Sequence, residues 1–303
     1  MRLPRAWATP AALVALQWLV TALVASAADG YDRAPWPLLV AQQLVLVPML
    51  VGSAWWIGRR LAGSLFGAIF GLVVVLLPPA GLRFSQARYH DVYVDRVLTS
   101  ALGLADNERF ACLVGLTAAS ALVLRSLDGD PRTAVAAGLA AGLAALVEPS
   151  GVLFLAGAGL CFALARKPKA GAMFAGGLML PLAAMLVWRT STPVVEISWG
   201  SFSAQMAGLR EYLWSNRVLQ WLPLAGVIGV ARRSIPAAAL LGGWFGAFLV
   251  VEGASTHVSV TDGSFFLVLL PALPAYSLLA AAVPLLVPTL PARLDERVAV
   301  DRP

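Results

Sequence analysis

The chain has 303 residues, of which 59% are hydrophobic and 13% charged, and its mean hydropathy is +0.80. No single soluble core can hide that much apolar side chain, so a water-soluble enzyme is excluded and a polytopic membrane protein is expected. The net charge of +6 comes from 22 basic residues set in pairs beside apolar stretches, a pattern of topology signals and not of nucleic-acid binding.

In chain order the apolar stretches are residues 11–27, 38–57, 61–77, 110–124, 134–147, 152–165, 170–188, 218–231, 235–251 and 265–287. An unpaired backbone amide is costly in hydrocarbon, so each stretch is expected to be helical. The fold class is therefore an all-α bundle of about ten spans over residues 1–287, followed by a short polar cytoplasmic tail, 288–303. Residues 1–27 also admit a second reading as a signal peptide cleaved after Ala25-Ser26-Ala27. The apolar run exceeds a usual h-region, which favours retention as the first span.

With the N-terminus inside, 14 of the 22 Lys and Arg residues fall on the cytoplasmic side, whereas 11 of the 16 acids fall outside. Both termini are then cytoplasmic in a plasma membrane. Cytoplasmic connections are tight, such as Gly58-Arg59-Arg60, and the long loops (28–37, 78–109, 189–217 and 252–264) lie outside. Function is expected on the elaborated face.

Within the spans, small residues recur four apart at Gly63, Gly67 and Gly71 and at Gly138 and Gly142, which reads as close helix packing. Gln17, Gln42 and Gln43 are read as interhelical hydrogen-bonding groups. No span carries an ionisable residue near its centre, which argues against an ion-coupled transporter. Cys112 and Cys161 each sit in an apolar run and support neither a disulfide framework nor a cysteine metal site.

Two outer loops carry the candidate chemistry. The first contains Asp29 and Asp32 directly after a helix, where a carboxylate is placed to act as a general base at the membrane surface; a solvated turn ending in an interfacial Trp36 accounts for the same residues. The second runs Arg83-Phe84-Ser85-Gln86-Ala87-Arg88-Tyr89-His90-Asp91-Val92-Tyr93-Val94-Asp95-Arg96. On a helix Asp91 and Asp95 stack at i and i+4, and on an extended segment they alternate onto one side. With His90 they are candidates to ligate a divalent cation or orient an acceptor hydroxyl, while Arg83 and Arg88 could neutralise a phosphate. An ordinary surface helix with weak ion pairs explains that loop equally well. In the third loop, Trp199 to Leu213 reads as a helix in the headgroup layer, with Arg210 within reach of a lipid phosphate. Asp106 is read as an N-cap, Glu148-Pro149-Ser150-Gly151 as a turn, and His257 as a bystander.

The order of these features resembles the GT-C superfamily of integral membrane glycosyltransferases, especially the protein-mannosyltransferase and aminoarabinose-transferase-like branch. The likeness rests on the acid-bearing first loop, the helix pair closed by Pro78-Pro79, and Asp95-Arg96-Val97-Leu98-Thr99 leading into an apolar stretch. It rests further on the Gly-Leu-Ala-rich helix from Ala137 that ends at Glu148-Pro149, and on Leu270-Pro271-Ala272-Leu273-Pro274 in the last span. The resemblance implies a bacterial inner-membrane enzyme that moves a sugar from a polyprenyl-phosphate donor to a glycan, lipid or protein acceptor on the outer face. It would use Asp29 or Asp32 as base, Asp91 or Asp95 to position the acceptor or a divalent cation, and Arg88 or a neighbour to hold the donor phosphate. The chain departs from the family pattern in its separated first-loop acids, in Glu148 where a basic residue often stands, and in Gly263-Ser264 where an Arg-Tyr pair is common. Two alternatives from other classes are a catalytically inactive scaffold subunit and a flippase of a lipid-linked glycan.

Overall fold

A computed structural model of the chain describes residues 5–28, 33–105, 107–188, 196–212 and 216–287. The described residues are all-helical, with no strand and one isolated antiparallel bridge between Ile197 and Ser255. The helices are α1 (Arg5–Ala27), α2 (Trp36–Ala62), α3 (Ser64–Phe84), α4 (Asn107–Asp128), α5 (Arg132–Val147), α6 (Pro149–Leu164), α7 (Pro168–Trp188), α8 (Trp199–Tyr212), α9 (Asn216–Ala231), α10 (Ile235–Val251) and α11 (Leu270–Leu286). Each of the ten apolar stretches is largely helical, with 61–77 broken at Gly63 and 265–287 at Leu269, where a short helix, Ser264–Val268, ends; α8 and short helical turns over 87–101 are further helical segments. Five of them, α1, α2, α3, α4 and α7, contain segments of 20 to 27 residues that are long and apolar enough to cross a bilayer. The other apolar helices are shorter, with 10–17 residues.

The helices begin and end where local chemistry dictates. Ser234 caps α10 by accepting from the Ala237 N–H at 3.3 Å, and Pro236 occupies the first turn, where its missing N–H costs nothing. Gly63 closes α2 at φ 91°, a backbone shape that a side chain would strain. Gly63 is thus a turn residue and not part of the packing stripe expected from its spacing. Gly67 and Gly71 do pack, against Trp55 of α2 and Leu13 of α1.

The bundle forms through contiguous hairpins and through pairings of helices distant in sequence. Helix α2 packs on α3 and α4 on α5, while α5 also packs on α7, α6 on α10, and α9, α10 and α11 on one another. Backbones approach closely at glycines. A Cβ on Gly138 would overlap the Phe174 carbonyl, and one on Gly157 would overlap the Leu240 carbonyl.

Many polar residues inside this apolar core find partners, although Gln42 Oε1, Gln43 Oε1, the Tyr212 hydroxyl and Trp244 Nε1 are buried without one among the described residues. Thr117 and Ser120 donate to the carbonyls four residues back on α4, at 2.7 and 2.9 Å, and Ser277 does the same on α11. Gln42 and Gln43 lie in a π-helical turn of α2, Gln42–Leu46, that turns both amides inward. The Gln42 side chain donates to Asn107 Oδ1 at 2.6 Å and that of Gln43 to the Leu102 carbonyl at 2.9 Å, the interhelical role expected of them.

The two ends of the bundle differ in character. At one end Arg60 forms a two-pronged ion pair with Asp128, and Arg232 donates to the Leu286 carbonyl. The long loops gather at the opposite end. Around that loop end Trp36, Trp199 and Trp221 are 74%, 69% and 65% exposed, as befits aromatic rings at a membrane interface.

Candidate functional site

The loop end is a single interlocked cap. The 85–105 segment is helical, passing from a short 3-10 turn through α-helix into a π-helical stretch, Tyr93–Leu98. Its start is tied to α8: the Gln86 N–H donates to the Tyr212 carbonyl at 2.8 Å, and the Tyr89 and Tyr212 rings stack at 4.5 Å. Arg88 lies over the Tyr89 ring and pairs with Glu211 at 3.6 Å. Farther along, Arg96 donates to the Asp262 carbonyl at 3.2 Å. Gln205 of α8 reaches the 252–264 loop twice, donating to the Val258 carbonyl and accepting from the Val260 N–H.

The first loop joins the same cap from the other side. Asp29 and Asp32 lie outside the described residues, but the residues that bound them do not. Ala28 and Ala34 are both buried, and the Ala34 N–H donates to the Leu104 carbonyl at 3.0 Å. Both ends of the first acid-bearing loop are therefore anchored, one of them directly to the second loop.

Asp91 and Asp95 sit one helical turn apart, as a helical reading requires. Asp91 is exposed and Asp95 half-buried, and Arg83, Arg88 and Arg210 are exposed. His90 is half-buried with Nε2 at 3.2 Å from the Ser85 carbonyl, so that nitrogen is already engaged. Among the described residues no three His, Cys, Asp or Glu side chains are grouped to hold a metal ion. Asp91 and Asp95 could still serve an ion that needs one or two carboxylates and takes its remaining oxygens from a substrate phosphate and water. Asp106 lies outside the described residues, and His257 is exposed.

Beneath the cap is a cavity of about 230 Å³. Its walls come from the loop-side halves of α3 and α10, from Tyr93, Val97 and Ala101 of the 85–105 segment, from Met206 and Leu209 of α8, and from residues 265–276. Asp91 and Asp95 do not line it, and none of its lining residues is charged. Tyr93, 8% exposed, spends its hydroxyl on the Pro78 carbonyl at 2.7 Å, and burial pushes its pKa up so that it remains a neutral phenol. Its place is secured by Gly81, where a side chain would overlap the phenol oxygen.

Sequence reasoning left this cavity unseen. It read Trp199–Leu213 as a helix suited to the headgroup layer without a partner for its apolar face; in the structure Tyr212 is fully buried and Met206 and Leu209 face the cavity. The 3-to-4 spacing of Phe202, Met206 and Leu209 was the available signal, since it marks one helix face for burial. It also missed a half-buried charge cluster at the tips of α4, α5 and α10. There Arg109 pairs with Glu148 at 3.9 Å, and Glu252 is held above the ordinary carboxylate range, first by burial and then by the Glu148 charge, against the pull of Arg109. The acid in the Glu148 turn thus has a charged partner in space.

Compared with protein-family models, curated proteins and solved structures, the chain finds no match in any of the three.

Proposed function

We propose that the protein is a GT-C-type glycosyltransferase of the bacterial inner membrane, with ten helices embedded in the bilayer and both termini cytoplasmic. It would transfer a sugar from a polyprenyl-phosphate donor to a glycan, lipid or protein acceptor of the envelope. The observation that carries this reading is the joining of the two acid-bearing loops through the Ala34 N–H to the Leu104 carbonyl, backed by Gln43 of α2 on the Leu102 carbonyl, at the end of the bundle where the aromatic rings are exposed.

In this reading Asp29 or Asp32 takes the proton from the acceptor hydroxyl, whose oxygen attacks the anomeric carbon as the polyprenyl phosphate leaves with the bonding electrons. Arg88, with Arg83 and Arg210 as the other exposed candidates, stabilises the phosphate charge. Asp91 and Asp95 position the acceptor or hold a divalent cation against the donor phosphate.

A scaffold that kept the bundle without the chemistry is the second reading. It is favoured by the engagement of Arg88 with Glu211 and Tyr89 and by the uncharged cavity walls. A flippase draws no comparable support, because the buried hydroxyls of α4 and α11 are spent on their own backbones.

Sugar transfer from a polyprenyl-phosphate donor, measured in membranes, separates the readings. Asp29→Asn, Asp32→Asn, Asp91→Asn and Asp95→Asn are tested singly, and loss in at least one first-loop and one second-loop variant is expected. Full activity in all four would discard the transferase.

A further inference from the structure

The cavity under the cap is built for hydrocarbon. A site that holds water must offer it two to four polar partners. Here the walls are Leu77, Phe84, Val97, Phe265, Phe266, Leu273 and similar side chains; two phenols, Tyr93 and Tyr276, are the polar side chains among them, and the Tyr93 hydroxyl is already given to Pro78. Several lining residues, among them Phe245, Phe266, Leu249 and Leu273, are only half-buried, so the cavity presents apolar surface. Water covering that surface would gain no hydrogen bonds from it, and the free energy of removing it favours any chain that enters.

Size and surroundings narrow the occupant. A cavity of 150 Å³ lined by aliphatic and aromatic residues stays dry and takes one benzene, so 230 Å³ accommodates about nine carbons. That is too little for a whole lipid and suits one end of a single chain. The walls belong in part to α3, a helix long and apolar enough to cross a bilayer, so hydrocarbon chains would be the abundant apolar solute beside them.

We infer that the cavity bounded by α3, the 93–101 turn, α8 and α10 is a binding site for the end of one hydrocarbon chain drawn from a membrane lipid. Two sources share that chemistry, a fatty-acyl chain of the surrounding bilayer and an isoprenoid tail. The inference does not depend on the transferase reading, since an inactive protein could hold a chain there equally well.

The full-length protein in phosphatidylcholine nanodiscs provides the test. One preparation carries phosphatidylcholine with a diazirine at the end of one acyl chain, and a second carries a polyprenyl phosphate with a diazirine at its terminal isoprene unit. After irradiation, peptides bearing adducts are mapped by mass spectrometry. Adducts on Phe245, Phe265 or Phe266 are expected from at least one probe, and the probe that gives them identifies the source. They should be lost in Ala101→Phe, which fills the cavity from the 93–101 turn, while adducts on the exposed Leu180 and Leu186 of α7 persist. Leu273→Trp fills it from the opposite wall and serves if Ala101→Phe fails to give a monodisperse protein. Cavity residues left unlabelled by both probes, or labelled undiminished in a folded filled variant, would overturn the assignment. Absence of sugar transfer by the unaltered protein, or full activity in all four Asp→Asn variants, with cavity labelling intact would tell against the enzyme alone.

Discussion

Tyr93 occupies the space that Gly81 leaves open on the face of α3, and from there its hydroxyl reaches the Pro78 carbonyl one turn earlier. The contact joins the cap to the bundle and forms part of the cavity wall. Two substitutions separate its components. Tyr93→Phe removes one buried hydrogen bond and is expected to cost about 1 kcal/mol. Gly81→Ala keeps the phenol but places a Cβ on its oxygen, displacing both the hydroxyl and the ring, so it should destabilise more than Tyr93→Phe. Combining Gly81→Ala with Tyr93→Ala should be less harmful than the sum of the two, a coupling that thermal unfolding in nanodiscs would measure. Strict additivity would show that the two residues do not share the space.

The Arg88–Glu211 pair is 3.6 Å long and both side chains are more than half exposed. Such pairs contribute roughly 0 to 1 kcal/mol. Arg88→Ala is therefore expected to leave the melting temperature nearly unchanged and, under the proposed transferase function, to lower sugar transfer and raise the KM for the polyprenyl-phosphate donor. Unchanged kinetics would assign Arg88 to the cap alone and remove it from the phosphate site.

Glu252 responds to pH in the opposite sense to a salt-bridged acid. Its folded pKa lies above the unfolded value, so the neutral form is favoured in the fold. Its contribution to stability is then greatest below the unfolded pKa and is lost as pH rises through the folded one. Asp262 runs the other way: hydrogen bonds from Ser264 lower its pKa, and its contribution is lost as pH falls through the folded value. Mild acidification from neutral pH should thus raise the melting temperature before stronger acid lowers it. Glu252→Gln should abolish the initial rise, and a rise that survives the substitution would place its origin elsewhere.

The α6–α10 contact depends on Gly157, where a Cβ would overlap the Leu240 carbonyl. Gly157→Leu must push two backbones apart and is expected to cost about 1 to 3 kcal/mol or more. Gly159, where a Cβ would meet nothing within 4 Å, is the control: Gly159→Leu should be tolerated. Equal losses at the two positions would show that helix propensity, and not close approach, sets the cost.

Much of the architecture was legible in residue order because hydrophobic length is a local property. Each run of apolar residues must satisfy its own backbone as a helix, and this placed α1 to α7 and α9 to α11 without knowledge of their neighbours. The amides of Gln42 and Gln43 could be assigned to interhelical hydrogen bonds on the same grounds, since an amide in an apolar helix needs a partner from another element. The identity of those partners was not legible: Asn107 and Leu102 lie about 60 residues away.

Tertiary structure decided what long-range proximity alone can decide. Glu148 looks like a turn acid until Arg109 and Glu252 stand beside it, and Tyr93 looks like a loop residue until Gly81 makes room for its ring. Met206 and Leu209 could face either lipid or protein by periodicity, and only the docking of α8 over the bundle turns them to a cavity. Hydropathy along the chain carries the energy of leaving water, which is additive and local. A cavity or a charge cluster is a relation among surfaces brought together from distant segments, and no single segment contains it.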